Sequence, residues 1–315
     1  MNKSLVPVNQ ALFDSFDLIG SWLEACKADD ASDATIIAYR TGIEVWVDWL
    51  SSHIPVGPVM PPDVEAFRTA LKRKYGPKTI NLRLSAVKSF YRWMVTTGRL
   101  PVSPAAMIKS ARVPDSQMHK RDELADDEVL RVLATCDITN PIGTRDMAIV
   151  TLMAYGGLRQ IEVRRANLGD LKTQAGRMTL TVSAKRRTRV VVVKQDREGV
   201  IRDWLAARSK VARLDADLPL FVSFSRRDLG QRLSTSAIRR MVKTRYAQAG
   251  VVGARKSTHS LRHSAITRVI RYGGSPLQTQ EFAGHSSFDT TLIYHHEVKR
   301  LEHPAEDLIE YQSAS

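Results

Sequence analysis

The segment Met107–Leu124 (MIKSARVPDSQMHKRDEL) interrupts the hydrophobic periodicity that is present on both sides of it. A stretch that contains a proline and no repeating apolar face does not form a regular packed element, so it predicts an interdomain linker. The chain has 315 residues, which is more than one core comfortably serves, and two domains are therefore expected. We predict an N-terminal domain over residues 1–105, a linker over 106–121 and a C-terminal domain over 122–315.

The N-terminal part carries helical spacing of apolar residues in four segments. The predicted helices run from Phe13 to Cys26, Ala34 to Leu50, Asp63 to Tyr75 and Lys78 to Thr97, and Ser32 or Asp33 caps the second one. In the fourth segment one stripe is apolar (Ile80, Leu84, Val87, Tyr91 and Met94) and the opposite stripe is polar and basic (Asn81, Ser85, Lys88 and Arg92). The basic stripe is equally consistent with a solvated surface and with a binding face.

One segment of the C-terminal part changes from a helical to a strand period. Residues 177–194 hold two β-branched runs, RMTLTVSA and TRVVVVK, separated by KRR, which predicts a β-hairpin with a basic tip. Helices are predicted around it: from Asp126 past Val132, over Ile142–Tyr155, Glu198–Arg208, Ser234–Ala249 and His259–Tyr272, a short one from Pro276 to Gly284, and one carrying Tyr294. The expected fold is therefore mainly α with a small β-sheet.

Basic residues are concentrated in particular parts of the chain. The formal net charge is +14 and the pI is about 10.0. Residues 1–60 hold three basic and eight acidic side chains, residues 61–121 hold 13 and three, and residues 122–315 hold 31 and 22. An excess distributed in this way predicts a polyanionic partner such as nucleic acid. Charge alone leaves histone-like binding and binding to a membrane surface open.

Two further features bear on the compartment. No apolar run approaches the roughly 20 residues needed to span a bilayer, and the first residues lack the apolar region of a signal peptide. Cys26 and Cys136 lie in helix-like segments without metal-ligand spacing, which favours reduced thiols over a disulfide. We therefore expect a cytoplasmic protein without a membrane partner.

Four short motifs contain side chains suited to the handling of a phosphodiester. GGLRQIEV places an arginine directly after a double glycine, and SAKRR places a lysine at the tip of the predicted hairpin. THSLRH places a histidine and an arginine three residues apart, hence on one face of a helix. AGHSSFDTTLIYHH adds a histidine and a tyrosine near the end of the chain. The candidate residues are Arg159, Lys185, His259, Arg262, His285 and Tyr294.

Phosphoryl transfer needs charge on the non-bridging oxygens, an in-line nucleophile and a proton for the leaving oxygen. Arginines can bind a phosphate bidentately, and a lysine can supply the proton. A tyrosine hydroxyl, with an ordinary pKa of about 10, attacks at neutral pH only beside a base or in a strongly positive pocket. The set thus requires no metal. The alternative is a zinc site formed by His263, His285, His295 and His296, but the chain has no H-E-x-x-H motif to support it.

In this order, GLRQIEV, THSLRH and AGHSSFDTTLIYHH resemble the signature boxes of the tyrosine recombinase (integrase) family, with spacing close to its Xer-type members. SDATIIAYRTGIEVWVDWL and KTINLRLSAVKSFYRWMVTTGRLPVSP are similar to the family's core-binding domain, so the resemblance extends from about residue 15 to residue 300. It implies an N-terminal helical SAM-like core-binding bundle and an α+β catalytic domain. Residues His303–Gln312 correspond to the segment that the family exchanges between protomers, although an intramolecular cap stays open as the alternative.

The resemblance also implies a role for each candidate. Arg159 and Arg262 would clamp the scissile phosphate, and Glu162 would steady the site. His259 would act as the general base, and His285 would donate a hydrogen bond in the transition state. Lys185 would protonate the leaving 5′-oxygen as Tyr294 attacks, which leaves a 3′-phosphotyrosine and a free 5′-hydroxyl.

The implied partner is double-stranded DNA that carries a specific recombination site, bound by a homotetramer across two such sites, with no cofactor and no ATP. A partner recombinase or accessory proteins stay open, as does the choice between resolution of dimers or cointegrates and integration or excision. The expected location is the cytoplasm, with nucleoid association. Alternatives are a type IB topoisomerase-like enzyme, a catalytically inactive DNA-binding regulator and a metal-dependent nuclease. Predicted DNA contacts are Lys78, Arg83, Lys88, Arg92, Arg186 and Arg187.

Overall fold

The computed structural model describes residues 16–54, 57–114, 123–184 and 187–302, together with residue 307. Contacts divide the chain into two compact units, Met1–His119 and Lys120–Ser315. Each unit buries an apolar core of its own. The later part of the predicted linker, residues 115–121, and the predicted exchange segment other than Asp307 lie outside the described residues.

The described part of the first unit is a helical bundle. Its helices are α1 (Phe16–Ala28), α2 (Asp33–His53), α3 (Pro61–Lys72) and α4 (Pro77–Thr96). Ser32 caps α2, because its hydroxyl accepts a hydrogen bond from the Thr35 amide at 3.3 Å. Prolines occupy the first position of α3 and of α4, where an amide hydrogen would have no helical partner. The four predicted helices are confirmed, with ends that differ by a few residues.

The apolar stripe predicted on α4 forms the centre of this bundle. All five of its residues are buried, and α4 packs mainly on α2. The indole of Trp46 on α2 donates to the Tyr91 hydroxyl at 3.2 Å, so the buried phenol of that stripe has a partner. The side-chain amide of Asn81 binds the backbone of Ala111 in both directions, at 2.7 and 2.9 Å. Asn81 thereby holds the segment after α4 on the bundle, and Ile108 packs in the same core.

The second unit combines helices with a three-stranded antiparallel sheet. The strands, in the order β1-β2-β3, are β1 (Leu171–Gln174), β2 (Arg177–Ala184) and β3 (Arg187–Val192). The helices are α5 (Asp126–Ala134), α6 (Pro141–Tyr155), α7 (Gln160–Arg165), α8 (Glu198–Ser209), α9 (Thr235–Gln248), α10 (Thr258–Arg271), α11 (Pro276–Ala283) and α12 (Phe288–Glu302). Leu180 pairs with Leu171 on one side and Val191 on the other, which fixes the register of the sheet.

The expected fold class, mainly helical with a small sheet, is confirmed. The predicted hairpin is present as β2 and β3, but β1 and α7 were not predicted. Both are short: α7 spans six residues, and β1 spans four that are mostly exposed, so neither shows a hydrophobic period. No described helix has both the length and the apolar composition that crossing a bilayer requires.

Candidate active site

The turn between α6 and α7 begins the site. Gly157 has φ of +61°, and a Cβ at this position would lie 2.9 Å from the ring of Phe282, so only glycine fits both the backbone and the space. The Gly157 carbonyl accepts hydrogen bonds from the guanidinium groups of Arg189, at 3.3 Å, and Arg262. The double glycine of the first motif therefore provides an acceptor that two arginines share.

Arg159 stands at the N-cap of α7 and is held by Glu162 one turn later. The carboxylate accepts from the Arg159 backbone amide at 2.7 Å and from its Nη1 at 2.9 Å. Nη2 of Arg159 donates to the carbonyl of Gly284 at 3.1 Å. Because the Glu162 side chain is only 1% exposed, its geometry is fixed, and it fixes the arginine in turn.

Arg189 on β3 is a central member of the site that was not predicted. Its Nη2 donates to Glu162 Oε2 at 3.0 Å, and its Nη1 donates to the Phe282 carbonyl at 2.6 Å. Strand alternation turns Arg189 inward with Val191. The run RVVVV does not alternate in hydrophobicity, so the sequence gives no sign of which residues face inward.

Arg262 on α10 completes a set of three arginines. It is buried, and it donates to the Gly157 and Ala283 carbonyls. The successive carbonyls of Phe282, Ala283 and Gly284 thus each accept from a different arginine. Carbonyls at a helix C-terminus lack intrahelical partners and carry the negative end of the helix dipole, so the end of α11 is a favourable seat for these cations.

His285 follows this seat directly. Gly284 ends α11 with φ of +60°, and a Cβ there would lie 2.7 Å from Arg189 Cδ. His285 is buried, and its Nδ1 lies 3.0 Å from the Thr291 hydroxyl on α12. Burial, together with the charges of Arg262, Arg159 and Arg189, lowers the pKa of His285 to about 4. The imidazole is therefore neutral at physiological pH.

Tyr294 on α12 lies between two histidines. Its ring is stacked on His285, with centroids 5.7 Å apart and an interplanar angle of 27°, and it is tilted against His263 at 5.0 Å. The half-buried Tyr294 side chain packs against the small apolar cluster formed by Ile266, Ile270 and Ala283. Because His285 directly follows the carbonyls that bind the three arginines, the stacked ring of Tyr294 lies next to the arginine cluster.

The charges in this cluster do not cancel. Burial lowers the pKa of Arg262 to about 9, and the positive charges of Arg159 and Arg189 add to the effect. Burial raises the pKa of Glu162, but the charge of Arg189 and the contacts of Arg159 outweigh it, so the net shift is downward. Glu162 is thus ionised, and it is the one carboxylate in contact with Arg159 and Arg189 in the described chain. The site keeps a net positive charge.

A pocket of about 420 Å³ opens beside the arginines. Arg159, Arg189 and His285 line it together with residues of α11, including Gln280 and Glu281. Through this pocket, a bound molecule can reach the two arginines and the histidine.

The other predicted site residues stand as follows. His259 lies exposed in the first turn of α10, one turn before Arg262. Lys185 and Arg186 lie outside the described residues, and of Arg187 only the backbone, at the start of β3, is described. The first unit carries the remaining four on α4: Lys78 and Arg92 are exposed, whereas Arg83 and Lys88 are half-buried. The Arg83 guanidinium lies 5.7 Å from the centroid of the Tyr75 ring.

Three of the four histidines of the zinc alternative, His263, His285 and His295, lie within hydrogen-bond distance of side-chain hydroxyls. His295 Nε2 lies 3.1 Å from the Thr279 hydroxyl, and His263 Nδ1 lies 3.3 Å from the Thr267 hydroxyl. Over the ranges that the structure describes, no group of three or more histidine, cysteine or acidic side chains is arranged to hold a metal ion.

Comparison with known proteins identifies the architecture. The model of the "Phage integrase family" matches residues 122–300, and that of the "Phage integrase, N-terminal SAM-like domain" matches residues 19–98. The chain belongs to the phage integrase family. It is 32% identical over 237 residues to the tyrosine recombinase XerC of Haemophilus influenzae, which covers 75% of this chain and 76% of that relative.

Solved structures of this family share the fold. A XerH site-specific recombinase bound to a palindromic difH substrate aligns with a TM-score of 0.73 at 17% identity, covering 92% of this chain and 84% of that chain. A lambda integrase tetramer bound to a Holliday junction aligns with a TM-score of 0.64 at 14% identity, covering 97% and 83%. The resemblance to tyrosine recombinases is confirmed, and this integrase is a site-specific DNA recombinase of the class that forms a phosphotyrosine intermediate.

Proposed function

We propose that Tyr294 is the nucleophile of this recombinase and that Arg159 and Arg262 bind the phosphate it attacks. The observation that carries the proposal is the convergence of three arginines on the carbonyls at the end of α11, next to the His285 ring on which Tyr294 stacks. A site with uncompensated positive charge stabilises the charge that develops on the phosphoryl oxygens. It also favours the ionised form of an attacking hydroxyl.

The chemistry follows the bonds that change. The Tyr294 oxygen forms a bond to phosphorus as the bond to the 5′-oxygen breaks, so the 3′-end is held as a phosphotyrosine. The exposed His259 accepts the phenolic proton, and Lys185 gives a proton to the leaving 5′-oxygen. A second 5′-hydroxyl then attacks the phosphotyrosine and restores both the tyrosine and the phosphodiester. Because one ester is exchanged for another, rejoining consumes no ATP.

His285 acts in this scheme as a neutral hydrogen-bond donor. With the Thr291 hydroxyl donating to Nδ1, the single ring proton sits on Nε2. Because the pKa of His285 is lowered to about 4, the ring takes up no second proton near neutral pH, and Nδ1 stays able to accept from the Thr291 hydroxyl. The imidazole then donates to a non-bridging oxygen of the phosphate beside Tyr294.

The substrate we propose is double-stranded DNA with a specific recombination site. The XerH structure holds such a substrate, and the lambda integrase structure is a tetramer on a Holliday junction. By analogy, this chain acts as a homotetramer across two sites, within the cytoplasm and in association with the nucleoid. Contacts to the DNA backbone come from Lys78, Arg83, Lys88 and Arg92 of α4 and from Arg186 and Arg187 of the hairpin.

A nicked suicide substrate tests the nucleophile. DNA flanking the chain's gene supplies candidate sites, and a nick next to the cleavage position lets the leaving fragment diffuse away. The wild type should form a covalent protein–DNA adduct in EDTA, and Tyr294→Phe should form none. Adduct in the mutant would refute the assignment of Tyr294. Relaxation of supercoiled plasmid that lacks the site would favour the topoisomerase-like alternative.

A further inference from the structure

Arg189 is a largely buried cation that belongs to none of the four motifs. Its side chain is 12% exposed, and its guanidinium contacts three separate elements: Glu162 of α7, the Gly157 turn and the last turn of α11. Its Nε is buried and has no hydrogen-bond partner in the described chain. Burial of an arginine with an unpaired donor costs free energy of folding. We therefore look for a role of the Arg189 charge in the site that offsets this cost.

The two oxygens of the Glu162 carboxylate have different partners, and this suggests a role for the Arg189 charge. Oε1 accepts from Arg159 Nη1, whereas Oε2 is shared between Arg189 Nη2 and the Arg159 backbone amide. A fully buried carboxylate with Arg159 as its sole cation would neutralise that arginine. With Arg189 bound to the second oxygen, one negative charge is spread over two guanidinium groups, and Arg159 keeps more of its positive charge for a ligand.

The geometry points to Arg189 as a positioning residue of the recombinase site, and we propose that it balances Glu162 so that Arg159 can act on the phosphate. The proposal rests on the function proposed above. Arg189 reaches the phosphate through Arg159 and through the end of α11, whose Phe282 carbonyl it holds at 2.6 Å. It also ties β3, the strand that follows the Lys185 hairpin tip, to the segment that carries His285.

A purely structural arginine would give a different result in a double-mutant cycle. If Arg189 only fills space and ties elements together, removing the Glu162 charge can restore stability, but it leaves the rate of adduct formation by the folded protein unimproved. If Arg189 balances Glu162, then Glu162→Gln should repair part of the damage of Arg189→Met, because the uncompensated carboxylate is gone while the amide oxygen still accepts from the Arg159 backbone.

The test measures single-turnover adduct formation on the suicide substrate for wild type, Arg189→Met, Glu162→Gln and the double variant. Arg208→Met is the matched control: Arg208 is a fully buried arginine of this unit that donates to the carbonyls of Pro219 and Arg213, which lie outside the site. All proteins are assayed at a temperature where circular dichroism shows each folded, and DNA binding is measured in parallel.

We expect Arg189→Met to slow adduct formation roughly 10- to 100-fold, as loss of one or two charged hydrogen bonds would, with DNA binding within about threefold of wild type. The double variant should recover about tenfold or more of that rate, and Arg208→Met should cleave like wild type. A double variant that is no faster than Arg189→Met, or an Arg189→Met protein that cleaves normally, would overturn the inference. Absence of adduct in wild type would instead refute the proposed function itself.

Discussion

Replacement of Gly284 by alanine probes the end of α11 with one methyl group. Gly284 has φ of +60°, a left-handed conformation that costs a residue with a Cβ about 1–2 kcal/mol. The new Cβ would also lie 2.7 Å from Cδ of Arg189 and 3.0 Å from its Nε. Arg189 has no room to yield without loss, because its guanidinium is bound to Glu162, Gly157 and Phe282.

Gly250 is the matched control. It ends α9 with φ of +66°, so alanine has nearly the same backbone cost there, but nothing lies within 4 Å of the added Cβ. Gly250→Ala should therefore lower the free energy of unfolding by about 1–2 kcal/mol and leave cleavage unchanged. Gly284→Ala should lower the free energy of unfolding by about 1.5–3 kcal/mol more than Gly250→Ala does, because it also loses a hydrogen bond to a charged group. It should form adduct at least about tenfold more slowly than wild type.

Urea unfolding gives the stability difference, and single-turnover adduct formation gives the rate. If the two alanine variants prove equally stable and equally active, the close packing of Arg189 on the end of α11 does not exist in solution. If Gly284→Ala loses stability but cleaves at the normal rate, the contacts of the arginines with the end of α11 are structural and do not position the phosphate site.

Three further predictions concern single contacts. Because the pKa of His285 is lowered to about 4, the unfolded chain binds a proton below about pH 6.5 that the folded protein does not bind. The free energy of unfolding should therefore fall from pH 6.5 to pH 4. The urea midpoints at pH 7 and pH 5 should differ less in His285→Gln than in wild type. Thr291→Val removes the hydroxyl partner of His285 and should slow adduct formation about tenfold, whereas Thr279→Val, which removes the partner of His295, should not; equal rates would refute the positioning role. Lys78→Ala and Arg92→Ala should each lower the slope of log affinity against log salt by about one unit, measured by fluorescence anisotropy, and an unchanged slope would remove that residue from the DNA contacts.

The sequence predicted the elements whose apolar residues repeat over many positions. The stripe on α4 and the two β-branched runs of the hairpin were sufficient for this, because burial of one face is a local property of the pattern. The motif residues Arg159, Arg262, His285 and Tyr294 could be named, and the structure brings them to one place. Their roles stay predictions.

What the sequence could not show depends on contacts between distant positions. Arg189 sits in a run of valines with no alternation, so nothing marks it as inward-facing, and its partners Glu162 and Phe282 are 27 and 93 residues away. The acceptors of the arginine cluster are backbone carbonyls. Every residue has one, so residue type does not reveal which of them bind the arginines. Asn81 similarly looked like part of a polar surface, but it binds the backbone of Ala111.

Identification of the amino acid that carries the DNA tests the assignment of Tyr294 as the nucleophile most directly. Adduct made with wild-type protein would be digested with a protease and a nuclease, and the peptide with a residual nucleotide would be sequenced by mass spectrometry. We expect a 3′-phosphate ester on the tyrosine of the peptide that contains Tyr294. A nucleotide on another side chain, such as the exposed Tyr272, would contradict it.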